Sequence, residues 1–213
     1  MSGAFVAVMG PSGVGKDAVI GCAKDLLADG TGRYVFARRV ITRPAGPAEE
    51  CTSVTEDRFA ALERRGAFAL SWRAHGLAYG IPDEYATHVR DGSVVVGNVS
   101  RSVLTRLDER FARSLVVRIT VPDHVRRARI AARGREDDLG AAARLHRADP
   151  APGHRPDLEI VNDGALADAG ETLAAFLREV AAVGSSEMPP SSDPAARSRP
   201  ENTGSPSQPA QDG

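Results

Sequence analysis

Long hydrophobic runs, an excess of charge of either sign and clustered cysteines are all missing from this chain. No apolar stretch approaches the ~20 residues that a membrane-spanning helix needs, so none is expected to cross a bilayer. The formal net charge is -1; such a chain has no global attraction for nucleic acid or an acidic membrane. Only Cys22 and Cys51 carry thiols. Their spacing suits no metal site, and with Cys22 expected on a helix and Cys51 in a loop, both read as reduced cytosolic thiols. No basic segment precedes the first apolar run, and cleavage there would remove the loop described below. The expected compartment is therefore the cytoplasm.

What remains is an ordinary globular composition. Hydrophobic residues make up 42 % and charged residues 26 % of the 213, enough for one α/β domain with its own core. Ala4–Met9 is a short apolar run ended by glycine and proline, as in a buried parallel strand. From Gly15 to Leu27 apolar residues recur at helical spacing. Arg33–Ile41 reads as extended, and Thr55 can cap a helix carrying Phe59 and Leu62. A strand follows over Ala67–Trp72; Tyr79-Gly80 closes a hairpin-like stretch and Pro82 opens another helix.

Further strands are expected at Ser93–Gly97, Leu115–Val121 and Leu158–Val161. Ser100 caps a helix, and others run over Asp123–Arg133, Leu139–Arg147 and Leu166–Val183. Alternating strands and helices predict a three-layer α/β fold with a mostly parallel sheet. The folded domain should span residues 1–183. Residues 184–213, rich in Ser and Pro, should form a disordered tail.

The strongest signal is Gly10-Pro11-Ser12-Gly13-Val14-Gly15-Lys16-Asp17, a G-x-x-x-x-G-K loop set between an expected strand and an expected helix. Its glycines let the backbone curl with amides inward, the helix start adds a positive dipole end, and Lys16 supplies a charge for terminal phosphates. These residues predict ATP as co-substrate. Asp17 stands where a Ser or Thr hydroxyl usually ligates Mg²⁺, and its carboxylate is the candidate metal ligand.

Seven segments carry a wider resemblance: Gly10–Asp17, Arg38–Arg43, Leu70–Gly80, Val96–Arg101, Arg133–Glu136, Ala143–Ala148 and Asn162–Gly164. On them the chain resembles the ribose 1,5-bisphosphate phosphokinases, guanylate-kinase-like P-loop enzymes of phosphonate breakdown. The resemblance implies Mg²⁺-dependent transfer of the terminal phosphoryl group of ATP to the 1-phosphate of ribose 1,5-bisphosphate. It also implies a lid arginine pair, Arg133 and Arg135, joined in catalysis by Lys16 and Arg144, with Arg147 on the same helix face as Arg144.

Arg39 and Arg43, with Arg38, fall on the segment that forms part of the acceptor site in such folds. Tyr79, Asn98, Ser100 and Arg101 are further candidates for the sugar phosphate, a small-molecule partner. Arginine suits phosphate because its planar fork binds two oxygens and stays charged. Trp72 reads as core, and His75 has no base to be, since the attacking phosphate oxygen is already anionic. Arg126, Arg127 and Arg129 read as a solvated helix face.

Guanylate kinases read guanine with a glutamate and an aspartate. Those positions fall here on Leu70 and at or beside Asn98. A leucine cannot accept hydrogen bonds from a donor-rich base. A nucleoside monophosphate kinase is therefore the alternative within enzymes. A non-catalytic guanylate-kinase-like binding module is the alternative outside them, opposed by the intact Gly13, Gly15 and Lys16.

Overall fold

The computed structural model describes residues 3–28, 30–44, 50–132 and 155–186. Its centre is β1 (Ala4–Met9), every residue of which is buried. With β2 (Tyr34–Phe36), β7 (Val94–Asn98), β8 (Ser114–Thr120) and β9 (Leu158–Val161) it forms a sheet of order β2-β7-β1-β8-β9. All four pairings are parallel. Such a sheet must be covered on both faces, and the period of two in β1 divides its side chains accordingly.

Ala4, Val6 and Val8 join Val94, Val96, Val117 and Ile119 in one apolar cluster. That cluster also holds Val19, Ala23 and Leu27, on or just past α1 (Lys16–Leu26), and Leu173, Ala174 and Leu177 of α6 (Leu166–Ser186). Helices α1 and α6 approach closely because Gly170 lacks a side chain: a Cβ there would meet Cys22 Sγ at 2.3 Å.

Phe5, Ala7 and Met9 face the opposite layer, with Val95 and Val116. This layer comprises α3 (Glu84–Arg90), a 3-10 helix (Arg101–Arg106) and α4 (Leu107–Arg110), and Phe5 stacks on Phe111 with centroids 4.3 Å apart. α5 (Asp123–Ala132) follows β8. The expected three-layer α/β arrangement with its parallel sheet is thus observed.

The strand expected at Ala67–Trp72 and the end of the extended Arg33–Ile41 segment belong not to the parallel sheet but to a second one, of order β4-β3-β6-β5. It contains β3 (Arg39–Ile41), β4 (Cys51–Ser53), β5 (Phe68–Ala74) and β6 (Leu77–Pro82). β3 and β4 are parallel, whereas β6 runs antiparallel to both β3 and β5. Cys51 is therefore in a strand rather than a loop, and neither cysteine forms a disulfide among the described residues. The three residues Cys51, Thr52 and Ser53 of β4 carry too little alternation to be read as a strand from sequence.

The hairpin turn also moves. It is His75-Gly76, between the paired Ala74 and Leu77, and both turn residues have positive φ (55° and 71°). A two-residue turn of this kind matches the twist of the strands it joins. Tyr79 and Gly80 lie within β6 instead.

α2 (Glu56–Arg64) covers this sheet through Phe59, stacked on Phe68 at 4.6 Å. Thr55 caps it as expected, its Oγ1 accepting from the Arg58 amide at 3.2 Å. α6 continues to Ser186, past the expected boundary at 183; the tail beyond it lies outside the described residues. No helix among the described residues is long and apolar enough to cross a membrane.

Gly80 is fixed by packing. A Cβ there would sit 2.5 Å from the Phe68 ring, which is itself stacked on Phe59. Gly80→Ala should cost about 2 kcal/mol by overpacking, lowering the melting temperature by roughly 4–8 °C. Calorimetry showing an unchanged transition would contradict this packing.

Candidate active site

The phosphate loop occupies the turn from β1 to α1, at the carboxyl edge of the parallel sheet, where open α/β sheets bind ligands. Gly13 and Gly15 both have φ 88°, a left-handed conformation open to glycine at no steric cost. Gly10 is constrained by space as well, because a Cβ would lie 2.2 Å from the Ile119 carbonyl oxygen.

The loop's carbonyls are held by side chains from distant elements. Asn162, directly after β9 and only 4 % exposed, donates Nδ2 to the Val14 oxygen at 2.8 Å. Arg126 of α5 donates Nε to the Ser12 oxygen at 3.1 Å. Arg129 also reaches the Val14 oxygen, at 3.5 Å. Lys16 folds back so that Nζ donates to the oxygens of Gly10 (2.8 Å) and Pro11 (3.0 Å).

In a trans peptide the carbonyl and the following N–H point in opposite directions. Bonds to the Ser12 and Val14 oxygens therefore set the amides of Gly13 and Gly15. The Gly10 carbonyl precedes a proline, which has no amide to orient.

Arg126 and Arg129 correct the expectation of a solvated face. Arg126 is 8 % exposed and both arginines bond the loop, whereas Arg127 is exposed as expected. Sequence reasoning missed them because helical spacing does not show which turn of a basic helix passes behind the loop. Asn162 received no role either, although an asparagine ending a parallel strand was a usable signal.

Asp17 joins the loop to the second sheet. Its Oδ1 accepts from Asn98 Nδ2 at 2.7 Å and pairs with Arg39 Nη2 at 3.3 Å. Asn98 ends β7 and Arg39 begins β3, so the structure brings three expected site residues together. The Arg39 side chain is 12 % exposed and that of Asp17 is 53 %. Oδ2 of Asp17 receives no hydrogen bond among the described residues.

Tyr79 stacks on Trp72, with centroids 5.4 Å apart and planes 3° from parallel. Trp72 is half-buried against the core. Arg43 Nη1 donates to the Pro44 oxygen at 3.0 Å, and Ser100 Oγ caps the 3-10 helix that Arg101 begins, accepting from the Ser102 amide at 3.3 Å. Arg38 donates its backbone amide to Tyr85 Oη at 2.9 Å. His75 is an exposed turn residue. Arg133, Arg135, Arg144 and Arg147 lie outside the described residues.

Next to Arg38, Lys24 of α1 donates to Glu50 at 2.7 Å. The Lys24 hydrogen bond holds the Glu50 carboxyl below its ordinary range, partly opposed by desolvation. Leu70 is 2 % exposed and packs with Ile81, Tyr85 and Ala86. It is part of the core and presents no polar group to a ligand.

No family model matches the chain. Among curated proteins, the ribose 1,5-bisphosphate phosphokinase PhnN of Pseudofrankia inefficax is 51 % identical over 179 residues, covering 84 % of this chain and 93 % of that protein. The Methylobacterium radiotolerans protein of the same name is 46 % identical over 84 % of this chain and 99 % of its own length. This chain belongs to the ribose 1,5-bisphosphate phosphokinase family. The Chelativorans member is 44 % identical, over 84 % of this chain and 87 % of its own. The structure is similar to guanylate kinase from Anaplasma phagocytophilum, with a TM-score of 0.58 at 18 % identity over 84 % of this chain and 86 % of that one. That likeness supports the guanylate-kinase-like P-loop fold expected for a ribose 1,5-bisphosphate phosphokinase.

Proposed function

We propose that the chain transfers the terminal phosphoryl group of ATP to the 1-phosphate of ribose 1,5-bisphosphate, giving 5-phosphoribosyl 1-diphosphate and ADP, as a cytoplasmic step of phosphonate breakdown. The observation that carries this reading is kinship of 51 % over nearly the full length of a relative with that activity in its name. The loop geometry and the buried Leu70 support it separately.

In this reaction an anionic oxygen of the acceptor's 1-phosphate bonds to the terminal phosphorus as the bond to the ADP oxygen breaks. No proton has to be removed, so the site needs no general base. The chain's work is positioning and charge stabilisation. The amides of Gly13 and Gly15 hold the polyphosphate, and Lys16 exchanges its loop carbonyls for phosphate oxygens. Arg39, Arg43, Tyr79, Asn98, Ser100 and Arg101 serve the acceptor. Arg133, Arg135 and Arg144 supply further cations to the transferring group.

Asp17 suits Mg²⁺. One carboxylate oxygen is fixed by Asn98 and Arg39 and the other is open to a cation. No cluster of three or more His, Cys, Asp or Glu suited to a metal occurs among the described residues. The ion fitting here is one that takes its remaining ligands from phosphate and water, the habit of Mg²⁺. Once bound, Mg²⁺ neutralises charge on the phosphate oxygens.

A coupled assay of ADP release should show turnover with ribose 1,5-bisphosphate and little with GMP or AMP. Preference for GMP would transfer the chain to the nucleoside monophosphate kinases. Lys16→Ala should reduce turnover roughly 100-fold or more while the melting curve stays close to wild type; full activity would remove the loop from the mechanism. Asp17→Ser should shift the Mg²⁺ concentration for half-maximal rate, and an unchanged titration would leave Asp17 with no metal role.

A further inference from the structure

We infer that Arg126 is a positioning residue for phosphoryl transfer, fixing the Ser12–Gly13 peptide so that the Gly13 amide faces the nucleotide's phosphates. The inference rests on the loop being the nucleotide site, as proposed above.

Arg126 sits in a run with Arg127 and Arg129, and an aliphatic residue would fill its buried place without desolvating a charge. Burying a guanidinium, which cannot shed its proton, is costly unless hydrogen bonds replace its hydration. Arg126 is only 8 % exposed, and Asp123 Oδ1 lies 4.0 Å from its Nη1. Its Nε hydrogen goes to the Ser12 carbonyl at 3.1 Å.

Two effects follow at the next amide. The trans peptide directs the Gly13 N–H away from Arg126, and the φ of 88° at Gly13 turns the chain there. A cation bonded to the carbonyl also polarises the peptide and makes its N–H a stronger donor. Asn162 does the same for the Val14–Gly15 peptide through a neutral amide. Arg126 touches no reacting atom in this scheme; it acts through the Gly13 backbone.

Titration calorimetry of wild type, Arg126→Met and Arg126→Lys with MgATP, and separately with ribose 1,5-bisphosphate, tests this. Arg126→Met should weaken MgATP on the order of tenfold, the loss expected for one charge-assisted hydrogen bond, and leave acceptor affinity within about twofold. The ³¹P resonance of the β-phosphate in bound MgADP should move in the same variant. Arg126→Lys, which keeps the charge but not the planar Nε–H, should fall between the two. Wild-type affinity for MgATP in Arg126→Met, or an equal loss for both ligands, would overturn the inference. If Arg126→Met does not fold, Arg126→Lys decides: weakened MgATP with normal acceptor binding supports the role, and wild-type values reject it. Wild-type protein that failed to bind MgATP would defeat the inference and the nucleotide reading together, whereas normal wild-type binding isolates the variant's result.

Discussion

A peptide unit cannot offer its N–H in one direction unless its carbonyl is accommodated in the other. That constraint governs the site. Glycines make the curl between β1 and α1 accessible, but accessibility is not selection. Selection comes from the partners of the carbonyls: Asn162 for Val14, Arg126 for Ser12, and Lys16 for Gly10 and Pro11. Each partner stands on an element fixed by packing elsewhere. The order of the parallel sheet thus becomes the order of the loop, since β9 presents Asn162 and β8 leads into α5 with Arg126.

The second sheet has a different task. Its core is small, built on Val40, Phe59 and Ala78, and it carries Arg39 to Asp17 of the loop. Asp17 is the junction of the two sheets, because its Oδ1 meets both the end of β7 and the start of β3. A serine or threonine hydroxyl at this place would carry no charge to hold Arg39. The departure from the commoner loop sequence is therefore matched by a cation and an amide positioned to use it.

Much of this was legible in the residues. The apolar run of β1, the capping hydroxyl of Thr55 and the β9 segment Leu158–Val161 all behave as local chemistry predicts. So does the loop, whose glycines and lysine have few other uses together. Strand β4 was not legible, being three residues long, and nothing in the extended Arg33–Ile41 segment showed that its end, β3, pairs with distant β6. Sequence puts the close of the hairpin at Tyr79-Gly80, but Gly80 accommodates the Phe68 ring, and His75-Gly76 turns the chain. Arg126 shows the same limit, since nothing local separates a solvated arginine from one buried behind a backbone carbonyl. Only the tertiary path of α5 does so.

The distance along the chain between the loop and its supports has a consequence for biosynthesis. Arg126 follows its partner Ser12 by 114 residues, and Asn162 follows Val14 by 148. α6, which covers the apolar side of α1, comes later still. The glycine-rich segment therefore leaves the ribosome well before the groups that give it a defined shape. An emerging fragment that lacks β9 and α6 holds the nucleotide motif in its sequence without the scaffold that turns the motif into a receptor.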